Sequence, residues 1–516
     1  MATPRRWLAL TVLCVSLLIV NLDTTVLNVA LPTLVRDLGS TSSQLQWIVD
    51  SYVIVLAGLL LVAGSLADRV GRKRTFLAGL AAFAAGSAWA AFSGSVGLLI
   101  TARASMGIGA ALMMPSTLSI ITAMFTDPHE RQRAIGAWAG TSGVGIALGP
   151  IIGGALLAHY WWGSVFLINV PVAVIGLMCA IPLVPDSKNP RALAPDFAGA
   201  LLSVAGLALV VWAIIDGPVR GWSSAVVLGA GGSGLIVLGF FVAWERTSSH
   251  PMLNLGFFRA RRFSIAVSSM GLALFGLTGA LFLMTQFLQF DLGHTPLQAG
   301  VRVIPAAAGL ALVAPLSAVA VRLAGTKLTV SAGLALIAGG LWQVAGMSAN
   351  SGYAAVVPGM ILIGFGAGLT IPAATASVMG AVPADHAGVG SATNGTFLQV
   401  GGALGVAIIG SLEVTRYQRQ MTAALAPYHV PTAVQQVILG SIGGAQEVAG
   451  RAGGAEGQLL ALAARSAFVS GAVLGLTAGA IVAAAGALLA LAALPGAGRR
   501  SRPAPPEFAV RGAASA

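Results

Sequence analysis

Residues 64–74 read Gly64-Ser65-Leu66-Ala67-Asp68-Arg69-Val70-Gly71-Arg72-Lys73-Arg74, which puts one acid and four cations in a short connection between two long apolar segments. Charge is scarce elsewhere, because charged residues make up 9% of the chain and hydrophobic residues 57%. Soluble globular proteins carry about 25% charged residues. The contrast predicts a membrane protein in which this stretch is a specialised cytoplasmic loop.

Apolar stretches of about 18 to 25 residues recur along the chain, and each can cross a hydrocarbon layer about 30 Å thick as a helix. The mean hydropathy of +0.88 agrees with this interpretation. A membrane β-barrel would alternate polar and apolar residues instead. The sequence therefore predicts an all-α polytopic membrane protein with about fourteen spans. The predicted centres are Leu17, Val55, Phe83, Ala110, Gly145, Ala173, Gly206, Ile236, Phe275, Leu310, Ile337, Ile363, Gly402 and Leu476.

Loop cations set the predicted orientation. With the N-terminus in the cytoplasm, most loop cations fall inside, including Arg5, Arg6 and those of 64–74, so both termini are predicted to be cytoplasmic. The cations behind the net charge of +12 then lie at the membrane edges, where they hold the cytoplasmic loops against anionic lipid. Nucleic acid is therefore not an expected partner. Asn21 and Asp23 interrupt the first apolar run, which we interpret as a retained span and not a signal peptide. The expected location is a bacterial inner membrane.

The order of the spans predicts six, then two, then six. The predicted divisions are a six-helix bundle at 1–185, a two-helix insert with flanking cytoplasmic loops at 186–261, a second six-helix bundle at 262–496 and a cytoplasmic tail at 497–516. The second bundle includes a long external loop at about 416–465, which is rich in Ala, Gly and Gln and in which short amphipathic helices are expected. Residues 315–327 lie where the charged loop lies in the first half, which suggests two related halves. The chain is expected to act as a monomer.

Two glycines and an acid give the charged loop a physical role beyond its net charge. Gly64 and Gly71 permit close backbone approach and a tight turn between antiparallel helices. Asp68 at a helix end can pair with a cation, and such pairs can latch two bundles together on one side. Its predicted partners are Arg69, Arg72 or a neighbouring helix terminus, and Lys73 belongs to the same charged loop. The alternative is an ordinary cytoplasmic loop that follows the positive-inside rule.

At these residues the chain resembles the major facilitator superfamily, whose loop between spans two and three carries the pattern G-x-L-a-D-r-x-G-r-k. Span one reads Leu22-Asp23-Thr24-Thr25-Val26-Leu27-Asn28-Val29-Ala30-Leu31-Pro32 and resembles the fourteen-span drug:proton antiporter branch. Arg103 with Gly107 and Gly109 in span four is similar to that branch as well. The resemblance implies two six-helix bundles plus two inserted helices, and export driven by the proton gradient without a cofactor.

Span five carries a further pattern of that branch. Its residues are Gly145, Gly149, Pro150, Gly153 and Gly154. Small residues let helices approach closely in lipid and a proline adds a kink, so plain helix packing is one interpretation. The resemblance implies more, namely a seal between the halves on the outer side that favours export. Residues of spans nine and ten that resemble the branch are Gln289, Pro296, Gly300 and Pro305.

Asp23, Asp50 and Arg103 are the ionisable residues predicted inside the membrane, where each is costly unless paired or hydrated. Asp23 and Arg103 should lie about 12 Å below the outer ends of their spans, and Asp50 about 9 Å, so the three share one layer. We hypothesise that Asp23 or Asp50 binds the coupling proton and that Arg103 tunes it. The alternatives are a structural role for Asp23 and an outer-vestibule position for Asp50. Met106 stands where the family pattern has glutamine.

The predicted substrate cavity is mostly apolar, because 300–321 and 393–409 carry no acid and Glu413 lies near an outer end. This predicts lipophilic neutral or singly charged substrates, such as drugs and antibiotics, exported by alternating access in exchange for protons. Candidate polar residues of the cavity are Asn28, Gln286, Gln289 and Asn394.

Other classes of function fit the sequence less well. The chain has no G-x-x-x-x-G-K-[ST] loop, which excludes a nucleotide-driven pump of that type. No pair of its six histidines has metal-ligand spacing, so neither a metal site nor a catalytic site is expected, and the chain is not predicted to be an enzyme. One alternative is an exporter of lipids, envelope precursors or another cell-made metabolite on the same fold. The other is a membrane sensor that does not transport.

Overall fold

The computed structural model describes residues 3–188, 194–248, 250–382 and 387–495, most of which are helical. In chain order the α-helices are α1 (Thr3–Leu38), α2 (Ser42–Val70), α3 (Arg72–Ala91), α4 (Val96–Met124), α5 (Pro128–His159), α6 (Ser164–Leu167), α7 (Asn169–Leu183), α8 (Phe197–Arg220), α9 (Ala225–Thr247), α10 (Arg261–Gln286), α11 (Pro296–Arg302), α12 (Ile304–Val313), α13 (Leu316–Ala345), α14 (Tyr353–Met379), α15 (Ala387–Leu425), α16 (Thr432–Gly440), α17 (Ile442–Ala452) and α18 (Gly454–Ala493). A 3₁₀ turn at Leu255–Arg259 precedes α10, and a π-helical turn at Phe287–Asp291 extends it. The predicted tail 497–516 lies outside the described residues.

Twelve of the described helical segments are long and apolar enough to cross a membrane. Helix α3 falls short of that measure, because it begins with three cations and is built largely from Ala and Gly. In α5 the described apolar stretch Ala147–His159 is shorter than a span, and several side chains before it lie outside the described ones. The predicted number of fourteen spans is therefore not confirmed, although α3 and α5 contain the predicted centres Phe83 and Gly145. Small residues lower the hydropathy of a helix whose surface packs against other helices.

The long helices form two six-helix bundles with an inserted pair between them in sequence, so the predicted fold class is confirmed. In the first bundle, α1 packs against α5 and α7, and α4 packs against α2 and α3. In the second, α10 packs against α15 and α18, and α14 against α12 and α13. Glycines permit these approaches, because a Cβ on Gly79 would lie 2.8 Å from the carbonyl oxygen of Gly109, and one on Gly340 would lie 2.6 Å from that of Gly359. The two bundles thus share one style of packing.

Glycines with positive φ make the tight turn at equivalent places in the two halves. Gly71 joins α2 to α3 with a φ of 127°, and Gly325 breaks α13 with a φ of 80°. The segment 315–327, which we predicted to be a loop, is therefore helical on both sides of this glycine. Since a single residue makes the turn, the chain needs no longer connection there.

Gly71→Ala should destabilise the protein, because a side chain strains this backbone conformation and its Cβ would lie 3.3 Å from the Asp186 carboxylate. Such strain costs about 1–3 kcal/mol. We expect a lower melting temperature in detergent, followed by the fluorescence of a thiol-reactive dye. Gly97→Ala is the control, since it lies in a helix with open space around its Cα. Equal melting temperatures for the two variants would contradict the strain at Gly71.

The inserted helices α8 and α9 form a hairpin whose first helix runs along the line where the bundles meet. Helix α8 packs against α2 of the first bundle and α15 of the second. Ser203 on α8 and Ser43 on α2 each donate a hydrogen bond to a backbone carbonyl of the other helix, at 3.3 Å. In the turn after α8, the indole nitrogen of Trp222 donates to the hydroxyl of Thr415 on α15 at 3.2 Å. The insert therefore contacts both bundles.

The segment 416–465, predicted as an external loop, is mostly helical. Helix α15 continues to Leu425 and α18 already begins at Gly454, so the connection between them contains only α16, α17 and short turns. The hydroxyl of Tyr417 donates to the Ile438 carbonyl at 2.8 Å, and the amide of Gln446 donates to the Phe290 carbonyl at 2.6 Å. These bonds hold the short helices over the ends of α15 and α10.

Candidate functional site

A buried ion pair joins α1 to α4. Asp23 and Arg103 are each 1% exposed, and Nη1 of Arg103 donates to Oδ2 of Asp23. Asn169 at the start of α7 donates to the other carboxylate oxygen at 3.3 Å and also reaches the Ser87 hydroxyl at 3.4 Å. Removing one partner of such a pair would leave an uncompensated buried charge. The structure thus brings together two of the three ionisable residues selected from the sequence.

Arg103 is held on its other sides by α2 and by aromatic rings. Its Nε donates to the backbone carbonyl of Ile48 at 3.1 Å. Its Cζ lies 4.3 Å from the ring centroid of Tyr52 and 5.8 Å from that of Phe166. The sulfur of Met106 lies 3.9 Å from Nη1. Desolvated cation–π contacts of this kind stabilise a guanidinium, so the two rings and the Ile48 carbonyl hold Arg103 in place beside Asp23.

Asp50, the third ionisable residue, points away from this pair. Residues two apart on a helix are rotated by about 200°, so Asp50 and Tyr52 lie on nearly opposite faces of α2. Asp50 is 0% exposed, and neither carboxylate oxygen has a hydrogen-bond partner in the described part of the chain. It shares its face of α2 with Gln46, whose side-chain oxygen accepts from Ser411 of α15 at 3.3 Å. The predicted common layer therefore separates into two sites.

The span-five glycines use two faces of α5. Gly145, Gly149 and Gly153 face α1, where a Cβ would meet Asn21, Thr25 and Val26 respectively. Pro150 and Gly154 face α11 of the second bundle. A Cβ on Gly154 would lie 2.6 Å from the Cα of Leu297 and 2.8 Å from the carbonyl oxygen of Pro296, and one on Gly300 would collide with the carbonyl of Pro150. The bundles are thus in backbone contact at this end.

The charged loop 64–74 makes hydrogen bonds inside the first bundle. Asp68 accepts from Nε of Arg72 at 2.7 Å, and Arg72 also donates to the Ser119 carbonyl of α4 at 3.2 Å. Lys73 donates to the carbonyl of Ile181 on α7 at 2.6 Å. Gly64 lies against Pro115 of α4, and Arg69 is exposed. These bonds tie together the ends of α2, α3, α4 and α7 that lie near Gly71.

A small cavity lies between the bundles. The first bundle lines it with Thr25, Asn28, Val29 and Pro150, and the second lines it with Leu277, Leu281, Thr285, Val303, Ala306, Ala307 and Leu310. No lining residue among the described ones is charged. Of the four polar residues predicted for the cavity, only Asn28 lines it. Gln289 instead donates to the Val29 carbonyl at 2.9 Å, Gln286 to its own helix, and Asn394 to Thr375 at 3.5 Å.

The sequence profile of the Major Facilitator Superfamily matches residues 13–406. This chain belongs to that superfamily. Among curated relatives of this major facilitator protein, the multidrug efflux pump LfrA of Mycolicibacterium smegmatis is 38% identical over 477 residues, covering 91% of this chain and 92% of LfrA. The tetracenomycin C resistance and export protein of Streptomyces glaucescens is 32% identical and covers 98% of this chain and 94% of its own length.

Solved structures support the same fold. A bacterial homologue of the human lysosomal transporter Spinster, in an inward-facing and unoccupied conformation, has a TM-score of 0.64 to this major facilitator protein at 17% identity, covering 96% of this chain and 98% of the homologue. The human organic anion transporter MFSD10 has a TM-score of 0.58 at 16% identity, covering 94% and 99% of the respective chains. The chain is a multi-pass membrane protein with the architecture of a transporter.

Sequence reasoning missed two residues of the ion-pair site. Asn169 is an amide inside the apolar segment Ser164–Leu183, and such a polar side chain in a span is a functional candidate in its own right. Tyr52 carries no charge, so a criterion of charged residues in the spans does not select it, although it supplies the ring beside Arg103. A search for every polar residue in the spans, and not only for ionisable ones, would have found Asn169.

Proposed function

We propose that this transporter exports lipophilic small molecules in exchange for protons, by alternating access between its two bundles. The observation that carries the proposal is the buried Asp23–Arg103 pair on the α4 side of α1, because Thr25 and Asn28, about 200° and 140° around the same helix, line the cavity. Relatives named for multidrug efflux and antibiotic export support the direction and the class of substrate. Because one helix carries both the titratable group and the cavity residues, a movement of α1 couples proton binding at Asp23 to substrate binding in the cavity.

The proton step in this proposal takes place at Asp23. As a carboxylate, Asp23 accepts from Arg103 and Asn169. A proton on Oδ2 removes the negative charge, and Arg103 is then a buried cation without its counter-ion, which costs several kcal/mol unless it is hydrated. That cost favours a movement of α1 against α4 that admits water. Proton binding and substrate release on the outer side are coupled in this way.

Alternating access requires a seal that can open at each end. In the proposal, the backbone contact of α5 with α11 is the outer seal, and it is closed in this structure. In the proposal, the loop 64–74 keeps four helices of the first bundle together at the inner end, so that this bundle moves as one unit. The two bundles then rock as nearly rigid bodies about the central cavity.

The remaining parts of the proposal concern the setting of the protein. It works as a monomer in the inner membrane of a bacterium, with both termini in the cytoplasm. The proton gradient drives transport, and no bound cofactor or catalytic step is involved. The predicted boundaries of the bundles and of the insert at 186–261 are kept as part of this proposal, because α8 and α9 both lie within that range.

Proteoliposomes with an acidic lumen test the function directly. A permanently charged lipophilic monocation should accumulate in the lumen against its gradient through inside-out protein, because efflux moves substrate toward the acidic side. Protein-free liposomes give the passive background. Accumulation only of compounds that first dissolve in the bilayer would favour a lipid exporter, and saturable binding without any flux would favour a sensor.

A dication should be transported at least about tenfold more slowly than a monocation of similar size. Tenfold corresponds to about 1.4 kcal/mol, which is less than the cost of placing an additional unpaired charge in an uncharged cavity. Methyl viologen is the suitable probe, because a resistance protein for it from Salmonella typhimurium is 33% identical to this chain over 470 residues. The comparison is made by initial rates in the same proteoliposomes. Equal rates for the two compounds would contradict an uncharged binding cavity.

A further inference from the structure

Asp50 is a fully buried acid that the Asp23–Arg103 pair does not use. It is 0% exposed, and both of its carboxylate oxygens lack a hydrogen-bond partner among the described residues. An ionised carboxylate in such a place would be very costly, whereas the neutral acid is tolerated. The geometry therefore suits a carboxyl group that carries a proton in this conformation.

The surroundings of Asp50 place it where three helices from three parts of the fold meet. Gln46 and Ala57, about 40° and 20° around α2 from Asp50, contact α15 through Ser411 and Thr396. Gly58, about 80° around on the other side, accepts a hydrogen bond from Ser203 of α8. Asp50 thus points toward the junction of α2, α15 and the inserted helix α8.

Charged groups on the elements packed against α2 lie away from this junction. They are Arg5, Arg6, Asp23, Arg36 and Asp37 on α1, Arg72, Lys73 and Arg74 on α3, Arg103 on α4, Asp216 and Arg220 on α8, and Glu413, Arg416 and Arg419 on α15. Asp23 and Arg103 do not stabilise an ionised Asp50, because they pair with each other on the opposite face of α2. Arg72 does not stabilise it either, because it bonds Asp68 at the inner end. Asp216 pairs with Arg220 at 2.7 Å at the outer end of α8.

Glu413 is separated from Asp50 by the fold of α15. It lies two residues beyond Ser411, and its backbone packs against Gly471 of α18. Residues 397–410 of α15 and residues 204–214 of α8, which span the level of Asp50, contain no acid or base. No cation is therefore at hand to stabilise an ionised Asp50 while α2, α15 and α8 stay together.

We propose that Asp50 is a second proton-binding site, in addition to Asp23, whose protonation holds α2 against α15 in the conformation with the outer end closed. Loss of the proton, which passes to water, creates a carboxylate that needs hydration. Hydration requires the outer parts of α2 and α15 to separate. Asp50 thus links the protonation state to the contact between the bundles, whereas Asp23 links it to the cavity. The proposal rests on the proposed proton-coupled function.

The test measures the distance between spin labels on the two bundles in the full-length protein in liposomes. The labels are attached at Asp37→Cys on the outer end of α1 and at Arg419→Cys on α15, both of which are exposed, with Cys14 and Cys179 replaced by Ser. In the otherwise unchanged protein, raising the pH should shift the population toward longer distances. Asp50→Asn, which is neutral at every pH, should keep the short distance at high pH. Asp50→Glu retains an acid and should respond to pH.

Asp23→Asn provides the comparison, because its Asp50 is intact and its labels should still separate as the pH rises. An Asp50→Asn protein that opens like the parent overturns the proposal, and so does a pH response that depends on Asp23 alone. If Asp50→Asn does not insert, loss of the pH response in Asp50→Ser serves the same purpose. The distance is read without any transport, so a protein that opens through Asp50 but moves no substrate would contradict only the proposed export.

Discussion

Asp23→Asn should abolish accumulation of a lipophilic monocation against its gradient, lowering the accumulation ratio to that of protein-free liposomes. Asparagine has nearly the shape of aspartate and its carbonyl oxygen can still accept from Arg103, but it cannot carry a proton at this site. Movement of substrate down its own gradient should persist, because the cavity residues Thr25 and Asn28 are unchanged. The measurement is uptake into proteoliposomes with an acidic lumen, repeated with equal pH on both sides.

The control for this variant is Asp37→Asn, which makes the same change on the same helix at an exposed position. It should accumulate substrate as the parent does. Retained accumulation in a folded and inserted Asp23→Asn protein would assign proton coupling to another group, and Asp50 would then be the next candidate. Loss of both uphill and downhill movement would instead indicate that Asp23 is needed for the conformational change itself.

Gly154→Ala should slow transport about tenfold or more by weakening the outer seal. The added methyl group would lie 2.6 Å from the Cα of Leu297, and neither backbone can yield without moving a whole helix. Overpacking of this kind costs about 1–3 kcal/mol, which shifts the balance of the two conformations about 5- to 150-fold toward the one with the outer end open. Asn28→Cys should then react faster with a membrane-impermeant thiol reagent added outside.

Gly140→Ala is the matched control for the seal, since it places the same methyl group on the same helix where nothing lies within 4 Å. Its labelling and transport rates should equal those of the parent. If Gly154→Ala left the labelling of Asn28→Cys unchanged, the contact between α5 and α11 would be packing within a fixed interface and not a seal that opens.

Much of the fold could be predicted because it depends on composition. Long apolar runs can only be helices in lipid, and both the bundles and the inserted pair follow from their order. The number of spans was less secure, because α3 begins with three cations and is built largely from Ala and Gly, which give it little hydropathy of its own. We predicted a loop at 315–327, but the single residue Gly325 makes the turn between two helical segments.

The level of each candidate residue along its helix could be predicted from the sequence, but the face of the helix on which it lies could not. Counting residues from helix ends put Asp23 and Arg103 at one level, and the structure joins them. The same count put Asp50 in that layer, but depth contains no information on which face of α2 a residue occupies, and Asp50 faces α15 instead. The cavity residues were predicted by polarity alone, so Gln286 and Gln289, whose amides bond to backbone carbonyls, were assigned to the cavity without lining it.

The hydrogen bond from Trp222 to Thr415 gives the molecule a built-in optical reporter. Two hydrogen bonds join α8 to α2, so α8 is expected to move with the first bundle, and the bond from this indole is one of the contacts of the insert with the second bundle. When the outer ends part, the indole exchanges a threonine hydroxyl for water, and its emission should move to longer wavelength. The difference spectrum against Trp222→Phe would follow each turnover in real time without any added dye.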